Sequence, residues 1–242
     1  MTPGAEGFVP APPYPDEERR LAALRDYGVL DSVAEPVFDD IAFLASYICG
    51  TPIAMVSLVD EGRQWFKARV GIDVQETSRD VAFCAHAILE PDEILVVQDA
   101  LEDPRFAGNP LVRESPKIRF YAGAPLNSPD GMPLGTICAM DHVPGMLSAE
   151  QGRALGALSR EVVVHLELRR AITALAGPDA GLLAPELGTE VQDELRQASQ
   201  SASSASALIA EAMERVLESE KRMRSLLYRV QTVQRRPTPQ VL

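Results

Sequence analysis

Two cysteines and a histidine are the first residues in this chain that could do chemistry. Cys84 and His86 stand two apart in AFCAHAI, Asp99, Asp103 and Arg105 follow, and Cys138 comes later. A thiol beside an imidazole can serve as a nucleophile with its base, and with Cys138 the pair could contribute to a metal set. Local structure decides between these. On a strand the spacing places both side chains on one face, whereas on an α-helix it separates them by about 200°. The flanking Ala, Phe, Ile and Leu make Cys84 read as a small buried hydrophobe, so no catalytic residue is assigned. The spacing also lacks the density of zinc patterns, and no metal is assigned. Asp99, Asp103, Arg105 and Asn109 lie in VVQDALEDPRFAGNPLV, where Asp and Asn hold backbone amides and Arg105 can pair with a carboxylate. Trp65 reads as a packing residue, and His142 and His165 are isolated. Neither Gly-x-x-x-x-Gly-Lys nor Gly-x-Gly-x-x-Gly occurs, which removes the simplest nucleotide-hydrolase and dinucleotide readings.

The elements that must position these groups follow from periodicity. Acidic residues, Leu21 and Leu24 on one side, and Gly28 as a stop make a short helix from Asp16. Pro36 opens a second, with Val37, Ile41, Leu44, Ala45 and Ile48 at helical spacing and Gly50 closing it. The period then changes: residues 52–71, PIAMVSLVDEGRQWFKARVG, read as a hairpin about Glu61-Gly62-Arg63. RFYAGAPL and LGTICAMD flank a second turn, in which Asp130-Gly131 supplies positive φ. Between them lie VAFCAHAIL and the strand candidate ILVVQD. Ser148 to Gln151 forms a capping box that opens a helix running to about Ile172. Hairpins interleaved with helices define an α+β fold rather than a parallel βαβ series.

The chain has 242 residues, 46% hydrophobic, with 23 Lys+Arg against 35 Asp+Glu and a net charge of -12. That acidity repels phosphate backbones and anionic headgroups, so neither nucleic acid nor membrane is expected as a partner. Three scattered cysteines, no secretory signal and no bilayer-spanning apolar run point to a cytoplasmic protein. Residues 1–15 read as a flexible Pro/Gly-rich leader, 16–172 as the globular domain, 173–188 as a Gly/Pro hinge, 189–236 as a helical arm and 237–242 as a tail. In the arm, alternate steps of four and three link Val191, Leu195, Ala198, Ala202, Ala205, Ile209, Ala212, Val216, Met223, Leu226, Val230 and Val233, with only Ser219 interrupting. An apolar seam sustained over about six heptads predicts a coiled coil, hence a homodimer. A long helix folded back on the domain is the alternative. The arm carries seven acidic and eight basic residues, so the acidity belongs to the part before it.

From Glu17 to Arg170 the chain resembles a GAF domain, of the subgroup that serves as input module in bacterial sensor histidine kinases and diguanylate cyclases. The resemblance rests on RLAALRDYGVLD, PIAMVSLVDEGRQWFKARVG, RDVAFCAHAIL, VVQDALEDPRFAGNPLV and IRFYAGAPLNSPDGMPLGTICAMD, in that order. It implies a central antiparallel β-sheet with flanking helices, a ligand-sized space between sheet and covering loops, and signalling through terminal helices. On that basis the candidate pocket comprises Phe83, Cys84, His86, Asp99, Arg105, Phe106, Phe120, Tyr121 and Cys138. The Asn-Lys…Phe…Asp-Glu signature of cyclic-nucleotide-binding relatives is missing. Ala85 stands between the cysteine and histidine that bilin-binding relatives place together. Free methionine sulfoxide reductases carry a close-set cysteine pair with no counterpart at positions 49, 84 and 138. LLYRVQTV is similar to a histidine-kinase phosphoacceptor box, but Tyr228 replaces the histidine.

The expected function is therefore that of a non-enzymatic sensor or adaptor of the two-component kind. It would bind a small molecule or a partner, such as a kinase or other signalling protein, and signal through a dimerising helix. The ligand is not identified and no cofactor is assigned. The alternatives are a thiol-dependent reductase of the free methionine sulfoxide type and a degenerate sensor kinase.

Overall fold

The computed structural model describes residues 8–176, and side chains through Arg170. Two helices open the fold, α1 (Glu17–Asp26) and α2 (Pro36–Cys49). Acidic Glu17 and Glu18 occupy the first turn of α1, where the helix dipole favours negative charge, and Pro36 starts α2 where no amide proton is needed. Gly50 ends α2 in the left-handed conformation. Strands β1 (Ile53–Val59) and β2 (Arg63–Val70) form the first hairpin, and β5 (Phe120–Asn127) and β6 (Pro133–Asp141) the second. Two short strands, β3 (Glu76–Ser78) and β4 (Leu95–Val97), complete a six-stranded antiparallel sheet in the order β3-β2-β1-β6-β5-β4. Three residues with no apolar pattern left β3 without a signature in the sequence.

In the turn between β5 and β6, Gly131 alone takes positive φ, and Asp130 does not. Gly131 donates to the Ser128 carbonyl at 2.9 Å and Ser128 to that of Met132 at 2.9 Å. A type I turn followed by one left-handed residue needs only a single glycine, which corrects the expectation of two positive-φ positions. The register of β1 and β2 shifts between Val56 and Ser57, because Val56 pairs with Ala68 and Ser57 with Phe66. Lys67 is the extra residue of that bulge. Its ammonium meets the Glu35 carboxylate at 2.6 Å and the Val33 carbonyl at 2.7 Å, beside the Phe38 ring.

Alternation divides the sheet into two faces. Helix α2, with Phe38, Ile41, Ala45 and Ile48 buried, packs over β1 and β2 on the side of Ala54, Val56 and Leu58. The other face carries Ile53, Met55, Ser57 and Val59 of β1 and Thr136, Cys138 and Met140 of β6, and a second core forms there. It is covered by a 3-10 turn (Arg79–Val81), α3 (Phe83–Ala87), α4 (Pro110–Arg113) and their loops. Helix α5 (Ala149–Ala176) starts with a reciprocal capping box: the Gln151 amide donates to Ser148 Oγ at 3.2 Å, and the Ser148 amide to Gln151 Oε1 at 2.9 Å. One compact unit ends at Val163; a second begins at Val164 and within the described residues consists of the rest of α5. No helix among the described residues is long and apolar enough to cross a membrane. The twelve seam residues from Val191 to Val233 lie outside the described residues.

Candidate functional site

A short helix decides the Cys84–His86 question. Because α3 is helical, the two side chains diverge: Cys84 is buried against the sheet, whereas His86 turns outward and its Nε2 lies 3.0 Å from the Val9 carbonyl. The His86 ring stands edge-on to Phe106 at 4.8 Å, and burial holds it below the usual imidazole value. A thiol-imidazole couple is not formed. What Cys84 meets instead is Cys138 on β6, with sulfurs 3.8 Å apart, and the Tyr121 hydroxyl on β5, which donates to Cys84 Sγ at 3.4 Å.

Tyr121 reaches that sulfur because of the residue two positions along its strand. A Cβ on Gly123 would lie 2.1 Å from the Tyr121 hydroxyl oxygen, so only glycine leaves room for the phenol to lie along the sheet. Replacing Gly123 by Ala is expected to cost about 1–3 kcal/mol through overpacking and to push the hydroxyl off Cys84. Denaturant midpoints check this, and Tyr121→Phe in the same background should restore part of the loss.

Between this group and the covering loops lies an apolar cavity of about 20 Å³, lined by Met55, Phe66, Phe83, Cys84, Ile118, Tyr121 and Met140 among others. That is above the roughly 10–15 Å³ that one water needs, and far below a drug-sized pocket. Two polar side chains also face it, Gln64 on β2 and Thr77 on β3. Gln64 Oε1 and Thr77 Oγ1 are buried without a hydrogen-bond partner. An orphaned acceptor in an apolar wall is costly, and a guest with a donor would relieve it. Alternation along β2, which puts Gln64 and Phe66 on one face, was the signal that could have found Gln64; Thr77 offered none.

The other expected pocket residues take different places. Phe106 stacks on Phe83 at 4.1 Å, and Phe83 on Tyr121 at 5.2 Å, so Phe106 backs the cavity wall. Phe120 does not reach the cavity, because neighbours on a strand face opposite sides and Tyr121 takes the cavity side. Asp99 and Arg105 do not line it either. Asp99 receives a two-point contact from Arg119, at 2.7 Å from Nε and 2.5 Å from Nη2, and Arg105 forks onto Asp103 at 3.0 and 2.7 Å. Those hydrogen bonds hold both carboxyls below the usual carboxylate range. Asn109 anchors the same loop by donating to the Val81 carbonyl at 2.9 Å and capping α4. The polar loop residues are the frame of the covering layer rather than its contact surface.

Burial raises the Cys84 thiol, but the polar groups around it, Cys138, Thr136, Tyr121 and Ser57, outweigh that and hold Cys84 below the ordinary thiol value. Cys138, in contact with the Cys84 sulfur and itself buried, is raised. Cys49, at the end of α2, is pushed up to about 11 by burial. Among the described residues no group of three or more His, Cys, Asp or Glu side chains could hold a metal ion.

A six-stranded antiparallel sheet with α2 packed on one face and a loop-covered cavity on the other defines an α+β domain. The GAF domain model matches residues 15–166, and the chain belongs to that family. A cyclic di-GMP phosphodiesterase of Pseudomonas aeruginosa is 41% identical over 169 residues, which span 69% of this chain and 29% of that enzyme. Two solved structures are also similar. The GAF domain of an Acinetobacter phosphoenolpyruvate-protein phosphotransferase has 16% identity and a TM-score of 0.43, covering 66% of this chain and 97% of that one. A type II free methionine-R-sulfoxide reductase from Thermoplasma acidophilum has 16% identity and a TM-score of 0.44, covering 55% and 93%. The expectation of a non-enzymatic chain is corrected by the relative from Pseudomonas, which is named as an enzyme.

Proposed function

We propose that this GAF domain is the sensory part of a cyclic di-GMP signalling system, and that it takes a small, mainly apolar molecule carrying one hydrogen-bond donor. The observation that carries the ligand reading is the orphaned Gln64 Oε1 in the wall of an otherwise apolar cavity. The link to cyclic di-GMP is supported by 41% identity to a phosphodiesterase of that nucleotide. The cavity is small when empty, so binding has to part α3 and the loops above the sheet, and that displacement is the signal. The seam from Val191 to Val233 carries it onward by pairing with a second copy.

Native mass spectrometry of the protein as isolated, followed by thermal shift with the molecule found, tests the ligand reading. The expected result is a bound small molecule that raises the melting temperature of the wild type and not of Gln64→Leu; an empty protein overturns it. Sedimentation of the full chain beside one ending at Arg170 tests the pairing, which a monomer in both would sink. Cellular cyclic di-GMP measured with and without the gene tests the pathway, and turnover by the purified chain shows how much of it the chain performs.

A further inference from the structure

The two sulfurs behind the cavity are placed for a reaction that neither ligand binding nor the family fold requires. We propose that Cys84 and Cys138 form a buried dithiol that reacts with hydrogen peroxide, Cys84 as the attacking sulfur and Cys138 as the resolving one. Geometry supplies the first argument. At 3.8 Å the sulfurs are in van der Waals contact, and a disulfide requires closure to about 2.05 Å. Cys138 has Gly123 as its cross-strand partner on β5, and the room above that glycine holds the Tyr121 hydroxyl against the Cys84 sulfur.

Access supplies the second argument. Cys84 is 1% exposed, yet it forms part of the cavity wall, and about 20 Å³ accepts a guest close to water in size. A disulfide as large and as charged as oxidised glutathione does not fit this apolar space. Gln64 Oε1, which lacks a partner on the same wall, can accept a hydrogen bond from an incoming HOOH.

Polarity supplies the third. Ser57 and Thr136 pair across β1 and β6, and their buried hydroxyls have no hydrogen-bond partner. Both stand on the sheet face against which Cys84 packs, where the Tyr121 hydroxyl donates to its sulfur, and this polar surrounding favours the thiolate. A hydroxyl donor on the sulfur, with two further unpaired hydroxyls on the same sheet face, suits a nucleophilic thiolate better than an inert packing cysteine in a wholly apolar site.

The chemistry balances without a further reagent. The Cys84 thiolate attacks one oxygen of hydrogen peroxide, the O–O bond breaks, and the departing hydroxide takes up the proton that Cys84 released to leave as water. Cys84 is now a sulfenic acid. Cys138 attacks its sulfur, the S–O bond breaks, and a second water leaves. Two thiols are oxidised, one peroxide is reduced to two waters, and the two thiol protons end on those waters. The bond ties α3 to β6 across the cavity.

The folded wild-type chain treated with hydrogen peroxide, then unfolded and alkylated, tests the proposal. The expected result is a mass about 2 Da lower before alkylation, restored by thiol reductant, and after alkylation Cys84 linked to Cys138 in the digest with Cys49 alone alkylated. Oxidised glutathione under the same conditions, too large and too charged for the cavity, should leave all three cysteines alkylated. In Cys138→Ala, Cys84 has no resolving partner and should gain about 32 Da as the sulfinic acid. Three free thiols in peroxide-treated wild type, a bond that involves Cys49, or equal reaction with oxidised glutathione would each overturn it.

Discussion

Removing the Glu17 carboxylate is expected to destabilise the domain by about 3–5 kcal/mol, more than a surface ion pair could, because it strands a fully buried guanidinium. Arg20 is 0% exposed and is the largest fully buried side chain among the described residues. Its Nε and Nη2 bond to the two Glu17 oxygens at 2.9 and 2.7 Å, and its Nη1 donates to the Val59 carbonyl at 2.7 Å, which ties α1 to the end of β1. Arg79, at the start of the 3-10 turn that leads into α3, also bonds to Glu17. One carboxylate therefore holds together the first helix, the sheet and the segment that covers the cavity. Glu17→Ala should lower the denaturant midpoint accordingly; a change within the range of surface substitutions would refute the assignment.

The same contact carries a pH signature. Burial raises the Glu17 carboxyl, but the hydrogen bonds and charges of Arg20 and Arg79 prevail and lower it from 4.5 to about 2. With the folded value below the unfolded one, its contribution is fully present above pH 4.5 and is lost as pH falls toward about 2. The stability gap between wild type and Glu17→Gln should therefore shrink over that interval. A gap that stays constant down to pH 2 would show that charge is not what Glu17 contributes.

The second large effect concerns the cavity. Phe83 is 2% exposed and sits between the Phe106 and Tyr121 rings, so Phe83→Ala should cost about 3–5 kcal/mol. The space it vacates adjoins the existing void and is apolar on nearly every side. An apolar cavity of benzene size stays dry and binds benzene. The variant should accordingly be stabilised by benzene in a thermal scan while the wild type is not. Stabilisation of both would mean that the covering layer already opens in the native protein, and of neither that it collapses onto the gap.

Periodicity alone made the helices at Glu17–Asp26 and Pro36–Cys49, both long hairpins and the Ser148–Gln151 cap legible, because each depends on neighbours within a few residues. Of the candidate pocket, Phe83, Cys84 and Tyr121 line the cavity. Phe120 was assigned with its neighbour, though strand alternation separates the two. Asp99 and Arg105 carried the right chemistry in the right loop, yet their partners Arg119 and Asp103 are matters of loop geometry.

Cys84 and His86, the residues that first invited a chemical reading, mark the boundary. Their spacing was compatible with a shared face or with opposite ones, and a five-residue helix too short to show a period settled it. The sequence by itself determined which residues were available for chemistry: a thiol in an apolar stretch, a second thiol on a later strand, and no metal-ligand spacing. Only the tertiary structure decided that the partner of Cys84 is Cys138, 54 positions away, and that Gly123 lets Tyr121 reach the same sulfur. Contacts across a sheet face depend on register between distant strands and on which helix lies over them, and no local pattern encodes either.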